Sequence, residues 1–263
     1  MTANQAVLTE RHDHVLVVTL NRPEARNAVN GALTEGLGRA LEEAESDAEV
    51  RVVVLTGAGD KSFCAGADLK AISAGESLNP PGTEQWGFAG FVQHPISKPV
   101  VAAVNGTALG GGTELVLASD LAVAADTATF GLPEVRRGLI AAAGGLIRLP
   151  EQLPRKRAMQ LILTGEALPA ATALEWGLVN AVVPAAEVLP LAIELAGTIA
   201  GNAPLSVQAS KRVALGIRDG GVPDEEAAWA VNNAEMIAVM GSHDAMEGAV
   251  AFAEKRAPRW QAR

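Results

Sequence analysis

Short apolar runs, broken by glycine, asparagine and proline, fill most of the chain, and longer helical spacings fill its last third. Residues 15–20 (VLVVTL) are a β-branched run ended by Asn21-Arg22-Pro23, which predicts a strand and a turn. Over 27–45, Val29, Leu33, Leu37 and Leu41 recur at helical spacing with charge on the other side. Residues 50–56 (VRVVVLT) predict a buried strand stopped by Gly57-Ala58-Gly59. Strand, helix, strand in that order predicts a crossover unit and an at least partly parallel sheet. Residues 73–87 are rich in Gly, Pro, Ser and Asn and predict an exposed loop. Trp86, Phe88 and Phe91 follow it, with two readings open: pocket lining, or anchors of a helix on the core. Further strands are expected over 121–125 and 179–183, and a helix over 170–176. From Leu189 onward the pattern is wholly helical, broken at 201–204, Gly220-Gly221 and Gly241.

The most informative stretch is 104–120 (VNGTALGGGTELVLASD). An apolar run enters the turn signal Asn105-Gly106, three glycines follow at 110–112, and a helix opens near Thr113-Glu114. Glycines are costly inside regular elements, so three in succession mark unusual dihedrals or a close approach. Their N–H groups at a helix start favour negative charge. Glu114 is followed by Leu115, Val116, Leu117 and Ala118. A carboxylate so placed is a candidate acid or base with a raised pKa, or a residue that complements the helix dipole. Glu134 is a second carboxylate among apolar neighbours, in a turn at 130–135; a surface turn residue is the plainer reading. A glycine pair, Gly144-Gly145, precedes another helical run. Residues 63–70 (FCAGADLK) form a tight small-residue turn into Asp68, which fits either backbone contact with a ligand or a capped helix start. Gly57-Ala58-Gly59 lacks the third glycine of a dinucleotide loop, since Ser62 stands there. His12 and His14 flank Asp13 with no third ligand suggested, which favours a solvated strand edge over a metal pair.

Composition narrows the classes. The 263 residues can bury a large core, and 49% hydrophobic against 19% charged residues is globular. A formal net charge of -9 argues against nucleic acid and anionic membrane surfaces, so a polyanionic ligand needs a local basic cluster. One cysteine, Cys64, excludes an internal disulfide and suits a reducing compartment; neither a leader pattern nor a membrane span is visible, so a cytoplasmic protein is expected.

The ordered set of motifs resembles the enoyl-CoA hydratase/isomerase superfamily, the crotonases, over nearly the whole chain. The set runs through Asn21-Arg22-Pro23 with Asn27-Ala28, Leu55-Thr56-Gly57 and Phe63-Cys64-Ala65-Gly66-Ala67-Asp68. It continues with Lys98-Pro99-Val100, Asn105-Gly106, Gly110 to Glu114, Asp120, Phe130-Gly131 and Pro133-Glu134. Thr164-Gly165, Glu175-Trp176-Gly177 and a tail of Phe252 to Arg256 complete it. The resemblance implies an α/β fold: a crotonase-like spiral of ββα units over 1–195 holding an acyl-CoA site. A helical C-terminal oligomerisation region over 196–263 would then build a homotrimer or a hexamer.

By the same resemblance, the N–H groups of Ala67 and Gly111 would hold the thioester oxygen, a type of donor worth about 3 kcal/mol each. Glu114 would activate water, and Glu134 would exchange a proton with the α-carbon. Coenzyme A contacts are implied at Arg26, Ala65, Ala67, Asp68, Leu69, Lys70 and Gly111, with Phe252 and Lys255 supplied by a neighbouring subunit. Solvated surface cations remain an open reading of Arg26, Lys70 and Lys255. No metal or separate cofactor is expected, because CoA enters with the substrate. Two glutamates favour an enoyl-CoA hydratase; an isomerase using the Glu134 position, or a non-catalytic acyl-CoA binder, are the alternatives. The chain departs from the usual family pattern at Ile140-Ala-Ala-Ala-Gly-Gly-Leu-Ile-Arg148, where many members carry a proline and Gly-Gly-Thr-Gln-Arg. That leaves the shape of the acyl group open.

Overall fold

The computed structural model describes residues 5–263; the first four, part of the stretch read for a leader, lie outside the described residues. A hairpin, β1 (Val7–His12) and β2 (Val15–Leu20), leads to α1 (Gly31–Ser46), β3 (Val52–Gly57), β4 (Ser62–Cys64) and the short α2 (Leu69–Ser73). Then come β5 (Val100–Val104), β6 (Thr107–Leu109), α3 (Gly111–Ala118), β7 (Leu121–Ala125), β8 (Thr129–Gly131), α4 (Gly145–Gln152) and α5 (Arg155–Thr164). β9 (Leu168–Pro169), α6 (Ala170–Trp176) and β10 (Ala181–Val183) close the strand-bearing part, and α7 (Val188–Ala200), α8 (Pro204–Leu215), α9 (Glu226–Met240) and α10 (His243–Ala253) follow.

The strands divide by rule. β3, β5 and β7 pair in parallel within a six-stranded sheet of order β1-β2-β3-β5-β7-β10. Each is followed by a short strand, β4, β6 or β8, that joins a separate four-stranded sheet of order β4-β6-β8-β9. The chain therefore winds as a spiral of ββα units, the expected fold. β3 and β5 are buried along their whole length, which is why they read as continuous apolar runs rather than alternations. α7 packs on β3, β5 and β7. It buries Val188, Ala192, Ala196 and Ala200, spaced four apart, and the small side chains let it lie close to the sheet. The Lys98 ammonium, itself buried, donates to the carbonyls of Ala44 and Asp47 and so closes the C-terminal end of α1.

Several boundaries differ from the sequence expectation for identifiable reasons. β1 carries no buried alternation, since five of its six residues are exposed; pairing with β2 makes it a strand. α1 begins after Asn30, whose side chain accepts from Leu33 N. Residues 27–29 are used otherwise: Asn27 is fully buried and Val29 bridges to Ala67. α7 runs unbroken across position 195/196, and the helical pattern breaks at 201–203. α10 folds back on residues 133–138 of its own chain, where Gly138 and Gly248 allow backbone to touch backbone.

Gly112, inside α3, faces the Cys64 carbonyl so closely that an added Cβ would overlap it. Gly112→Ala should cost about 2–4 kcal/mol, read as a lower urea midpoint with unchanged slope. A change within about 0.5 kcal/mol would mean that this contact can relax.

Candidate active site

Three backbone segments meet at the start of α3. Gly66, at φ 87°, lies against Leu109 and Gly111: a Cβ on Gly66 would sit 3.1 Å from Gly111 N. Gly110, at φ 56° and ψ -124°, adopts a backbone that a side chain resists, and a Cβ there would also stand 2.7 Å from Glu134 Oε1. The N–H groups of Ala67 and Gly111 have no acceptor among the described residues, whereas their neighbours do. Gly110 N–H donates to Gly131 O and Asp68 N–H to Val29 O. Two unused donors on touching turns, one at a helix N-terminus, can bind one developing anion.

Both carboxylates reach this point. Glu114 is 3% exposed, and its Oε1 accepts from Gly145 N–H at 2.8 Å. Burial pushes its pKa up to about 8, and the charge of Glu134 adds to the rise; the amides of Gly145 and Ala143 and the Arg148 cation oppose it. Glu134 projects from the helical turn Pro133–Arg137, and its Oε2 is buried without a partner. Burial raises its pKa to about 7. Around neutral pH the pair, titrating as a unit, holds about one proton, which provides an acid and a base together.

Thr113 joins the two supports. Its hydroxyl accepts from Gly131 N–H at 2.9 Å and lies 2.7 Å from Ala108 O and 3.0 Å from Gly131 O, either of which it can donate to. The start of α3 is thereby tied to the strand end that leads to Glu134. Phe88 stands where a Cβ on Gly111 would go, so it walls the donor pair, and Trp86 packs on Gly38 of α1 and stacks on His94. Phe88 thus stands at the donor pair, while Trp86 packs on α1 and Phe91 is buried in the core. Neither Arg22, Thr113 nor the Gly145 amide stood out in the sequence as part of a site. Of these, only Gly145 lay in a glycine pattern.

The other expected residues are placed as follows. Asp68 caps α2, with Oδ1 accepting from Lys70 N and Ala71 N, while Oδ2 pairs with Arg22 at 2.9 Å. Burial pushes its pKa up, but the Arg22 hydrogen bond and charge and the two amides outweigh that and hold the carboxyl below the usual range. Its side chain thus fixes the turn that presents the Ala67 N–H. Ala65, Leu69, Lys70 and Arg26 are exposed, and Arg26 O accepts from Ala65 N–H at 3.1 Å. Lys255 is exposed. Phe252 is held under the Arg137 guanidinium of its own chain, 3.8 Å from the ring centroid. α10 packs on the Pro133–Arg137 turn of its own chain, and Phe252 lies there with its ring half exposed. Cys64, below the Gly112 contact, is fully buried, and burial pushes its thiol up to about 12. His12 and His14 stand at the hairpin turn beside Glu10 and Glu49.

The model of the family described as enoyl-CoA hydratase/isomerase matches residues 10–263. A carnitinyl-CoA dehydratase from Salmonella arizonae is 41% identical, covering 98% of this chain and 99% of its own. The crystal structure of a carnitinyl-CoA hydratase from Mycobacterium avium superposes with a TM-score of 0.97 at 60% identity, covering 98% and 99% of the two chains. An enoyl-CoA hydratase structure from Mycobacterium tuberculosis gives 0.76 at 46% identity, covering 98% and 100%.

A buried carboxyl whose folded pKa exceeds its unfolded one takes up a proton on folding, so its contribution to stability falls as pH rises from about 4.5 to 8. Glu114→Gln removes that loss while keeping an acceptor for Gly145. The variant should be more stable than the parent by about 2 kcal/mol at pH 8 and nearly equal at pH 4.5, measured by urea unfolding at each pH. Equal differences at both pH values would show that folding does not raise the pKa of Glu114.

Proposed function

The chain belongs to the enoyl-CoA hydratase/isomerase family, and we propose that it uses Glu114 and Glu134 as a base and acid pair on an acyl-CoA thioester. It is a hydratase, a hydro-lyase that adds water across the 2,3 double bond of an enoyl-CoA or removes it. The observation that carries the mechanism is the convergence of buried Glu114 and half-buried Glu134, whose Oε2 is sealed without a partner, on two unused amide donors. In hydration, Glu114 accepts a proton as water oxygen bonds to C3, and the π electrons move onto the thioester oxygen between Ala67 N–H and Gly111 N–H. Electron density then returns to C2 as Glu134 delivers its proton there. The turnover leaves the proton on Glu114, and transfer within the pair restores the start.

In this reading coenzyme A is a handle on the substrate, with the exposed cations Arg26 and Lys70 beside the Ala67 turn as phosphate partners and no separate cofactor. The exposed apolar side chains Leu205, Val213, Val231, Ile237 and Met240 of α8 and α9 support subunit contacts of a trimer or hexamer. The lone buried thiol supports a cytoplasmic setting. No single helix among the described residues is long and apolar enough to cross a membrane.

For the acyl group we take the carnitinyl type, a four-carbon chain with a quaternary ammonium on C4. The names of the relatives support it. So does charge, because a carboxylate pair holding one proton presents about one negative charge beside C3.

Three measurements follow. Conjugated-thioester absorbance should show hydration by the parent, and Glu114→Gln and Glu134→Gln should each lower kcat by about 100-fold or more. Full activity of Glu114→Gln would overturn the assignment. The pH profile of kcat/KM should be bell-shaped, falling below about 7 as the pair takes up its second proton and above about 8 as it loses its last. Crotonobetainyl-CoA should exceed crotonyl-CoA in kcat/KM by about tenfold or more, a margin that shrinks with added salt. Preference for crotonyl-CoA would remove the carnitinyl reading and leave the hydratase.

A further inference from the structure

The Gly145 N–H that binds Glu114 is the first of α4, and the turn before it, residues 142–144, is held from the C-terminal helices. Arg148, one turn into α4, directs Nε and Nη2 at the Glu225 carboxylate, at 3.1 and 2.8 Å. The same carboxylate accepts from Trp229 Nε1 at 2.9 Å. Trp229 and Arg148 then close on Gly144 from outside: a Cβ there would meet Arg148 Nη1 at 3.1 Å and the indole ring at 3.2 Å. Asn232, one turn further along α9, donates to Ala142 O at 2.9 Å. Arg148 and Glu225 are mostly buried, with side chains 13% and 16% exposed, so their charges act through a poorly screened medium.

From this arrangement we infer that Glu225 is a positioning residue for the hydratase: through Arg148 and Trp229 it fixes the Gly144-Gly145 turn and balances the cation nearest Glu114. Arg148 alone favours the ionised form of Glu114; Glu225 cancels part of that field. The charged and titratable groups around Glu114 are few. Glu134 and Arg137 come from the Pro133–Arg137 turn, Arg148 comes from α4 with Glu225 behind it, and the Cys64 thiol on β4, which packs on α3, is neutral. A charge change at position 225 or 148 therefore has a defined sign at the pair.

The inference rests on the two-glutamate reading, which fails separately if Glu114→Gln keeps turnover. The experiment is the pH profile of kcat for the full-length enzyme and four variants, with the substrate that the parent turns over. Glu225→Gln leaves Arg148 uncompensated, so the alkaline limb should move to lower pH by about half a unit or more, with KM within about twofold. Arg148→Gln leaves Glu225 uncompensated, so the limb should move to higher pH. The double variant should return the limb toward the parent position. Glu225→Asp keeps the charge but shortens the reach, and should lower kcat about tenfold without moving the limb. Limbs that move in one direction in both Gln variants, or that stay within about 0.2 unit in both, would overturn the inference. An Asp variant whose limb moves as far as that of Glu225→Gln would do the same. Should one single variant not fold, the Asp and double variants carry the test.

Discussion

Backbone touching backbone at the start of α3 is the constraint on which this molecule depends. Gly112 lies on the Cys64 carbonyl, Gly66 lies on Leu109 and Gly111, and Gly110 takes a conformation closed to other residues. Side chains at Gly112 or Gly66 would push α3 and the end of β6 away from β4 and the turn that follows it. Because they are absent, two strands and a helix start come within van der Waals reach, and the Ala67 and Gly111 amides are left side by side. The donor pair is thus a by-product of how tightly the ββα units stack, and needs no side chain that could rotate away.

The two carboxylates are placed by different means. Glu114 sits on a helix that is itself buried, and Glu134 on a single turn that a proline opens and a glycine at φ 69° closes. Thr113 ties these supports together through Gly131. Burial of both acids is a cost to the folded state that a purely structural design would avoid, and it leaves a shared proton near neutral pH. The C-terminal helices share in this. α9 braces the loop behind Glu114, and α10 braces the turn that carries Glu134, so neither acid is held by the spiral alone.

Much of the fold and the centre of the site were legible in the sequence. The long buried strands announced themselves as apolar runs, α6 as a periodic segment with its breaks, and Glu114 and Glu134 as charges among apolar neighbours. What stayed hidden had a non-local cause. β1 is a strand only because β2 offers it a ladder, and β4, β6, β8 and β9 are too short to carry a pattern. Arg22 looked like part of a turn signal, yet its partner, Asp68, is 46 positions away. Glu225 and Arg148 are 77 positions apart, and nothing local to either names the other. The glycine contacts that dock α10 on residues 133–138 are likewise visible only once both segments are folded.

Cys64 gives the molecule a clock. It is the sole thiol of the chain, it is sealed beneath the turn that presents Ala67 and Gly111, and burial keeps it in its unreactive form. A thiol reagent can reach it only while β4 and α3 are parted. The rate of its modification in the native protein therefore counts the openings of the active centre itself, separate from fraying at the termini or in the helical tail.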